Sequence, residues 1–133
     1  MEKEVISKID ELRGEMKDSL IEMLKIPALG PDNGGDGELK KAKFIEEMIE
    51  DFGFDKIERY DAKDDRVPSG IRPNIVATKE GKSDKNLVII AHIDIVPEGD
   101  LDEWDTDPFD PVFKDGKIYG RGAEDNGQEL IAG

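Results

Sequence analysis

The chain contains a single histidine, His92, whose sequence neighbours could support metal or acid–base chemistry. His92 directly follows an apolar run over residues 87–91, and Asp94 lies two residues further on. Alternate side chains of an extended strand point to the same side, so the imidazole and the carboxylate are expected to face the same way. A carboxylate beside a ligating imidazole fixes its tautomer and raises its basicity. On spacing alone, a structural histidine next to a solvated aspartate is the commoner arrangement, and both interpretations stay open here.

A second candidate carboxylate, Asp125, ends the segment Gly-Arg-Gly-Ala-Glu-Asp over residues 120–125. This segment begins like a dinucleotide fingerprint, but Asp125 occupies the position of the third glycine. A carboxylate there would repel a pyrophosphate at a helix N-terminus, whereas it would attract a cation. The glycine-rich loop over residues 30–37 lacks the Lys-Ser or Lys-Thr pair of a phosphate-binding loop. Nucleotide binding is therefore not expected.

Acidic residues are dense between residues 94 and 115, where nine carboxylates accompany one lysine. Such a stretch can attract cations, although most acidic runs are solvated surface. A calcium-binding loop starting at Asp100 is excluded, because its sixth position is Asp105 instead of glycine and its twelfth is Pro111 instead of glutamate.

Composition limits the classes of function. The 133 residues suit one domain, and the net charge of -14 argues against nucleic acid and anionic membranes as partners. The absence of cysteine excludes disulfides and thiolate metal ligands. The N-terminus is charged and no long apolar stretch follows it, so neither a signal peptide nor a membrane span is expected, and the cytoplasm is the expected location.

The apolar pattern predicts helices first and strands afterwards. One helical stripe runs over residues 5–24 before Pro27, and a second runs over residues 39–52 with Gly53 as its C-cap. Strands are predicted at residues 56–60 and 74–78, and the continuous run 87–91 predicts a strand buried on both faces of a sheet. Residues 111–119 predict a hairpin turning at Asp115-Gly116. A third helix is predicted to begin at Asp125, and the order of elements indicates an α/β layered domain.

A longer series of motifs then resembles a known family. The series comprises residues 91–100, Trp104, residues 107–109, residues 114–122 and Asp125, in this order. It is similar to the signature of the zinc peptidases that include acetylornithine deacetylase, succinyl-diaminopimelate desuccinylase, aminoacylase and carnosinase. The resemblance covers residues 72–128, and the two preceding helices fit the N-terminal layout of the family.

The resemblance implies a fold and an activity. The fold class would be α/β, the N-terminal part of a helix-covered mixed sheet of the zinc-dependent exopeptidase type, truncated. Residues 1–133 would form the N-terminal portion of the catalytic, metal-binding domain, without the lid and dimerisation domain. Family members hydrolyse amide bonds in small N-acyl amino acids or short peptides with two zinc ions, and cobalt or manganese would suit the same ligand types.

The resemblance also assigns three residues. His92 matches a metal ligand, Asp94 matches the catalytic carboxylate that orients this histidine, and Asp125 matches the carboxylate that bridges both metals. The peptide bond after the bridging aspartate is often cis in the family, and Asn126 stands where many relatives have aspartate.

The family's remaining catalytic groups have no counterpart here. These are a Glu-Glu pair that supplies the general base, further metal ligands, and substrate-binding residues of the lid. The isolated chain is therefore expected to be inactive, with a missing C-terminal portion needed for hydrolysis. The alternative hypothesis is a non-catalytic acidic module that binds a metal or a partner and derives from the same fold.

Overall fold

The computed structural model describes residues 2–133, which form three helices and four strands. Helix α1 spans Glu2–Leu24, α2 spans Leu39–Ile49, and the short α3 spans Glu129–Ala132. The strands are β1 (Lys56–Lys63), β2 (Ile71–Thr78), β3 (Val112–Lys114) and β4 (Lys117–Tyr119). Short helical turns occupy Pro31–Asn33, Leu101–Glu103 and Ala123–Gln128. This content confirms the α/β class.

The core lies where the C-terminal half of α1 meets α2. Its buried side chains are Leu20, Met23, Leu24, Ile45 and Ile49. The apolar stripe predicted for α1 is thus buried only in its second half, since Val5 and Ile9 are more than half exposed. Helix α2 ends at Ile49, three residues before the predicted end at residue 52, and Gly53 follows with a positive φ of 75°.

Strands β1 and β2 form an antiparallel ribbon. Its register pairs Lys56 with Thr78 and Lys63 with Ile71. Both strands were predicted, and each is three residues longer in the structure. The half-buried side chains of Ile75 and Ala77 pack against the core, which fixes the ribbon beside α2.

The predicted hairpin is confirmed in β3 and β4. Asp115 and Gly116 both have positive φ, 52° and 76°. Two central residues with positive φ define the type I′ turn, whose twist matches that of a two-stranded ribbon. The hairpin directs the chain into the segment that carries Asp125.

The strand predicted at residues 87–91 is wrong for this chain. These residues are extended but unpaired, and Leu87 and Ile90 are 87% and 86% exposed. A strand of this composition needs neighbouring strands and covering helices, and no element within residues 2–133 supplies them. The described strands form two separate antiparallel pairs, so the mixed sheet is not seen; the exopeptidase type and the truncation stay predictions.

The third helix begins later than predicted. Asp125 and Asn126 have non-helical backbone angles, and regular helix starts only at Glu129. Asp125 therefore lies on an irregular turn before the helix. Across residues 2–133, no helix is both long enough and apolar enough to cross a membrane.

Candidate metal centre

The backbone around His92 is held by the chain that leaves α1. The N–H of Ile95 donates to the carbonyl of Ala28 at 3.1 Å, and Ile95 forms a parallel bridge with Leu29. Ile95 is buried and Ile93 packs against the core. Because side chains alternate along extended chain, His92 and Asp94 lie on the opposite side from these anchors. The single histidine is thus positioned although residues 87–91, which precede it, form no strand.

A glycine turn brings Asp125 to the same place. Gly122 has a φ of 83°, and the N–H of Gly127 donates to its carbonyl at 2.9 Å. A Cβ on Gly122 would lie 2.8 Å from Cγ2 of Ile95, so a larger residue would push the turn away from the segment that carries His92. The Asp125–Asn126 peptide bond is cis, as the family resemblance predicts.

The three predicted site residues meet in one cluster. Nε2 of His92 lies 2.9 Å from Oδ1 of Asp125. Nδ1 of His92 lies 3.1 Å from the carbonyl oxygen of Asp94 and 3.2 Å from its carboxylate Oδ1. The side chains of His92, Asp94 and Asp125 are 49%, 48% and 76% exposed, so the cluster is open to solvent.

Both ring nitrogens of His92 face oxygen atoms that only accept hydrogen bonds. The Nδ1–H can donate to Asp94, which leaves Nε2 of a neutral ring as an acceptor facing the Asp125 carboxylate. This contact is favourable only with a proton or a cation between the two atoms. Partial burial lowers the pKa of His92, but the hydrogen bonds to Asp125 and Asp94 and their charges raise it more, to a net value above the usual 6.5.

A divalent metal fits this pair in the type of its donors but not in their number. Imidazole nitrogen and carboxylate oxygen are ligands that zinc, cobalt and manganese accept, and Asp94 can hold the ring as outer-shell carboxylates do. Among residues 2–133, however, no group of three or more His, Asp or Glu side chains is arranged so that it could hold one metal ion. The cluster supplies two ligands, fewer than the four of a closed zinc site.

The acidic stretch beyond residue 98 folds around an aromatic ring. The indole N–H of Trp104 donates to the carbonyl of Glu98 at 2.9 Å, and Nη2 of Arg121 donates to the same oxygen at 3.0 Å. The Arg121 guanidinium lies over the Trp104 ring, 5.2 Å from its centre. These residues of the motif series therefore organise the loop.

Sequence reasoning missed Lys41, which lies beside this cluster. It is only 3% exposed, on the inner face of α2 with Glu38, which is 4% exposed. Positions 38, 41, 42, 45 and 49 share the spacing of the buried helix face. Two charged residues on that face are the signal that could have identified Lys41 as more than a surface lysine.

The fold and the site describe an α/β protein in which one imidazole lies between two carboxylates, as a metal-dependent enzyme would require. Sequence comparison finds similarity to proteins named as metallohydrolases and desuccinylases. The chain is 42% identical over 118 residues to an uncharacterized metallohydrolase of Methanocaldococcus jannaschii, covering 84% of the chain and 28% of that protein. It is 33% identical over 111 residues to the succinyl-diaminopimelate desuccinylase of a Nitratiruptor species, covering 84% and 26%. It is 54% identical over 46 residues to the succinyl-diaminopimelate desuccinylase of Cupriavidus taiwanensis, covering 35% of the chain and 12% of that protein.

The sequence model of Peptidase family M20/M25/M40 matches residues 88–133. The chain belongs to this family, which confirms the resemblance found in the motif series. It spans about 28% of the length of the relatives that it matches over most of its own residues.

Proposed function

We propose that this chain is the metal-site portion of a metal-dependent hydrolase that cleaves amide bonds in N-acyl amino acids or short peptides. Family membership supports the general class. The observation that carries the proposal is the contact of Nε2 of His92 with Oδ1 of Asp125 at 2.9 Å, while Nδ1 is held by Asp94. Two acceptors at this distance form the start of a cation site.

Each residue has a distinct role in this proposal. Nε2 of His92 and the carboxylate of Asp125 serve as metal ligands. Asp94 accepts the Nδ1–H, which keeps the Nε2 lone pair directed at Asp125. When bound, two zinc ions would activate a water molecule and polarise the scissile carbonyl, and cobalt or manganese would suit the same donors.

The proposed substrate class follows from the names of relatives. Several are named succinyl-diaminopimelate desuccinylases, a name that states removal of a succinyl group from an amino acid. An N-acyl amino acid or short peptide is thus proposed for the complete protein. We propose no nucleic acid or membrane partner, because nucleic acid and anionic membranes repel a chain with a net charge of -14, and we propose a cytoplasmic location.

We further propose that the 133-residue chain alone is inactive. Residues 2–133 bring only His92 and Asp125 together as ligands, and they hold no group of three or more His, Asp or Glu side chains that could bind a metal ion. The apolar side chains of residues 87–90 are also exposed, as expected of a surface that other parts of a larger protein would bury. A C-terminal portion would supply both the missing ligands and the cover.

Calorimetric titration of zinc into the purified chain tests the proposed ligands. Weak, saturable binding is expected in the wild type, with loss in His92→Ala and in Asp125→Asn. Glu124→Gln is the matched control, because it removes an exposed carboxylate directly beside Asp125. Unchanged binding in both ligand variants would show that the acidic surface binds the zinc and would contradict the proposal.

The strength of binding also separates the enzyme portion from the alternative function. Micromolar or tighter zinc binding, lost in both ligand variants, would favour a binding module that works without further ligands. Millimolar binding would favour a portion of an enzyme whose site is completed by other residues, because two ligands hold zinc only weakly.

A further inference from the structure

A small cavity lies directly behind the candidate metal centre. Its volume is about 10 Å³, close to the smallest space that holds a single water molecule. Side chains from three parts of the fold line it: Lys41 from α2, His92 and Asp94 from the extended segment, and Asn126 from the turn that carries Asp125. The cavity therefore adjoins both chain segments that carry the proposed metal ligands.

Lys41 is buried at this cavity without a direct partner. Within residues 2–133 its ammonium group makes no hydrogen bond or ion pair, although the side chain is 3% exposed. Burial lowers the pKa of Lys41 to about 8, and the nearby charges of Asp94 and Glu38 oppose this, Asp94 more strongly. Both carboxylate oxygens of Glu38 already accept from Arg72. Asp94 is thus the carboxylate that remains for Lys41.

Asn126 presents the complementary unpaired atom. Its Oδ1 is buried and has no hydrogen-bond partner among the described residues, while its Nδ2 donates to Glu129. An ammonium group only donates hydrogen bonds and an amide oxygen only accepts them. Lys41 and Asn126 both line the same cavity of single-water size, and leaving the buried Oδ1 unpaired costs free energy.

We propose that Lys41 is a positioning residue for the metal centre, and that it links Asp94 to Asn126 through one water molecule in this cavity. The ammonium group donates to the water, the water donates to Oδ1 of Asn126, and the positive charge orients the carboxylate of Asp94. The link holds the turn of Asp125 against the segment of His92. This inference rests on the proposed metal-binding role of His92 and Asp125.

If Lys41 positions the ligands, removing its ammonium group should weaken zinc binding. If it acts only through its positive charge, the same change should strengthen zinc binding. A buried positive charge repels a nearby cation, so its removal alone would strengthen zinc binding. Loss of a group that orients the ligands would weaken it, and outer-shell partners of metal ligands typically change affinity roughly 10–100-fold. The sign of the change therefore distinguishes the two.

The first test compares Lys41→Met with Lys43→Met by zinc calorimetry and by NMR of the metal-free chain. Lys43 is the matched control, because it is an exposed lysine of the same helix. We expect zinc affinity to fall roughly 10-fold or more in Lys41→Met only. We also expect the His92 ring and Asn126 side-chain signals to move in that variant alone. Equal or tighter zinc binding by a folded Lys41→Met chain would overturn the proposal.

The absence of cysteine allows a chemical rescue. Lys41→Cys can be alkylated in denaturant with 2-bromoethylamine, which restores an ammonium at nearly the same reach, and then refolded. The same variant alkylated with iodoacetamide is the neutral control. Recovery of zinc affinity and of the metal-free His92 signals with the ammonium adduct only is expected, whereas equal behaviour of both adducts would refute the role of the charge.

Failure of this inference differs from failure of the proposed function. If wild type does not bind zinc through His92 and Asp125, the proposed function fails and so does the inference that rests on it. If wild type binds zinc there and Lys41→Met does so equally well, the inference alone fails.

Discussion

The β1–β2 ribbon and the extended segment of residues 87–95 are both rich in β-branched side chains, yet only the ribbon is a sheet. Lys56–Lys63 and Ile71–Thr78 pair along their full length, and α2 covers one face. Residues 87–90 have no strand partner within the described residues 2–133, and their side chains are 58% to 87% exposed. A strand forms where another strand satisfies its backbone groups, whatever its own side chains prefer.

The same segment also shows that a site needs less than a complete sheet. From Ile93 onwards the chain is ordered by one backbone hydrogen bond to Ala28 and by the burial of Ile95. The glycine turn at residue 122 packs against this anchor. His92, Asp94 and Asp125 therefore meet although residues 87–90 remain exposed.

The largest expected effect comes from one substitution made in each region. Leu24 is 1% exposed in the core and Leu87 is 87% exposed in the unpaired run. Leu24→Ala should lower the free energy of unfolding by about 2–5 kcal/mol, because it leaves a cavity. Leu87→Ala should change it by less than about 0.5 kcal/mol. Urea unfolding monitored by circular dichroism measures both.

An equal loss of stability in the two variants would break the comparison. It would show that residues 87–90 are packed in solution, for example against a second copy of the chain. Sedimentation of wild type and Leu87→Ala would then reveal the association directly.

A smaller effect concerns the turn that closes the ribbon. Hydrogen bonds from Arg66 hold the pKa of Asp64 down at about 2. A carboxyl whose folded pKa is lowered stabilises the fold above its unfolded pKa of about 3.9, and this contribution disappears as pH falls towards the folded value. Asp64→Asn should therefore reduce stability at pH 7, and the difference from wild type should vanish between about pH 4 and pH 2.

Urea unfolding of both proteins across this pH range provides the measurement. Asp84→Asn, at an exposed position outside the ribbon, is the control and should show no such pH-dependent loss. A difference between Asp64→Asn and wild type that persists at pH 2 would contradict the role assigned to the carboxylate charge.

Local patterns predicted α1, α2, the strands β1 and β2 and the β3–β4 hairpin. The stripes of α1 and α2 and the Asp115-Gly116 turn depend on neighbours close in sequence, so they can be read from the chain itself. The strand predicted at residues 87–91 is absent, because strand pairing depends on residues distant in sequence and an apolar run alone does not show whether they are present. The start of α3 was misplaced because Asp125 and Asn126 adopt non-helical angles that their residue types do not announce.

The candidate site was predicted through motif order more than through spacing. His92 and Asp94 form a local pair, whereas His92 and Asp125 lie 33 positions apart in the sequence, which hides their contact. Lys41 was missed because a lysine on an amphipathic helix is normally solvated. The structure shows that this lysine is buried and lies beside His92 and Asp94.

The single histidine makes the central claim directly measurable. Nitrogen-15 NMR can follow both ring nitrogens of His92 during a zinc titration, at a pH above its raised pKa so that protons do not compete. The account predicts that Nε2 takes the chemical shift of a metal-bound nitrogen while Nδ1 keeps its proton towards Asp94, and that Asp125→Asn abolishes the change. Unchanged ring signals at saturating zinc, with shifts confined to the backbone amides of the acidic loop at residues 98–110, would contradict it.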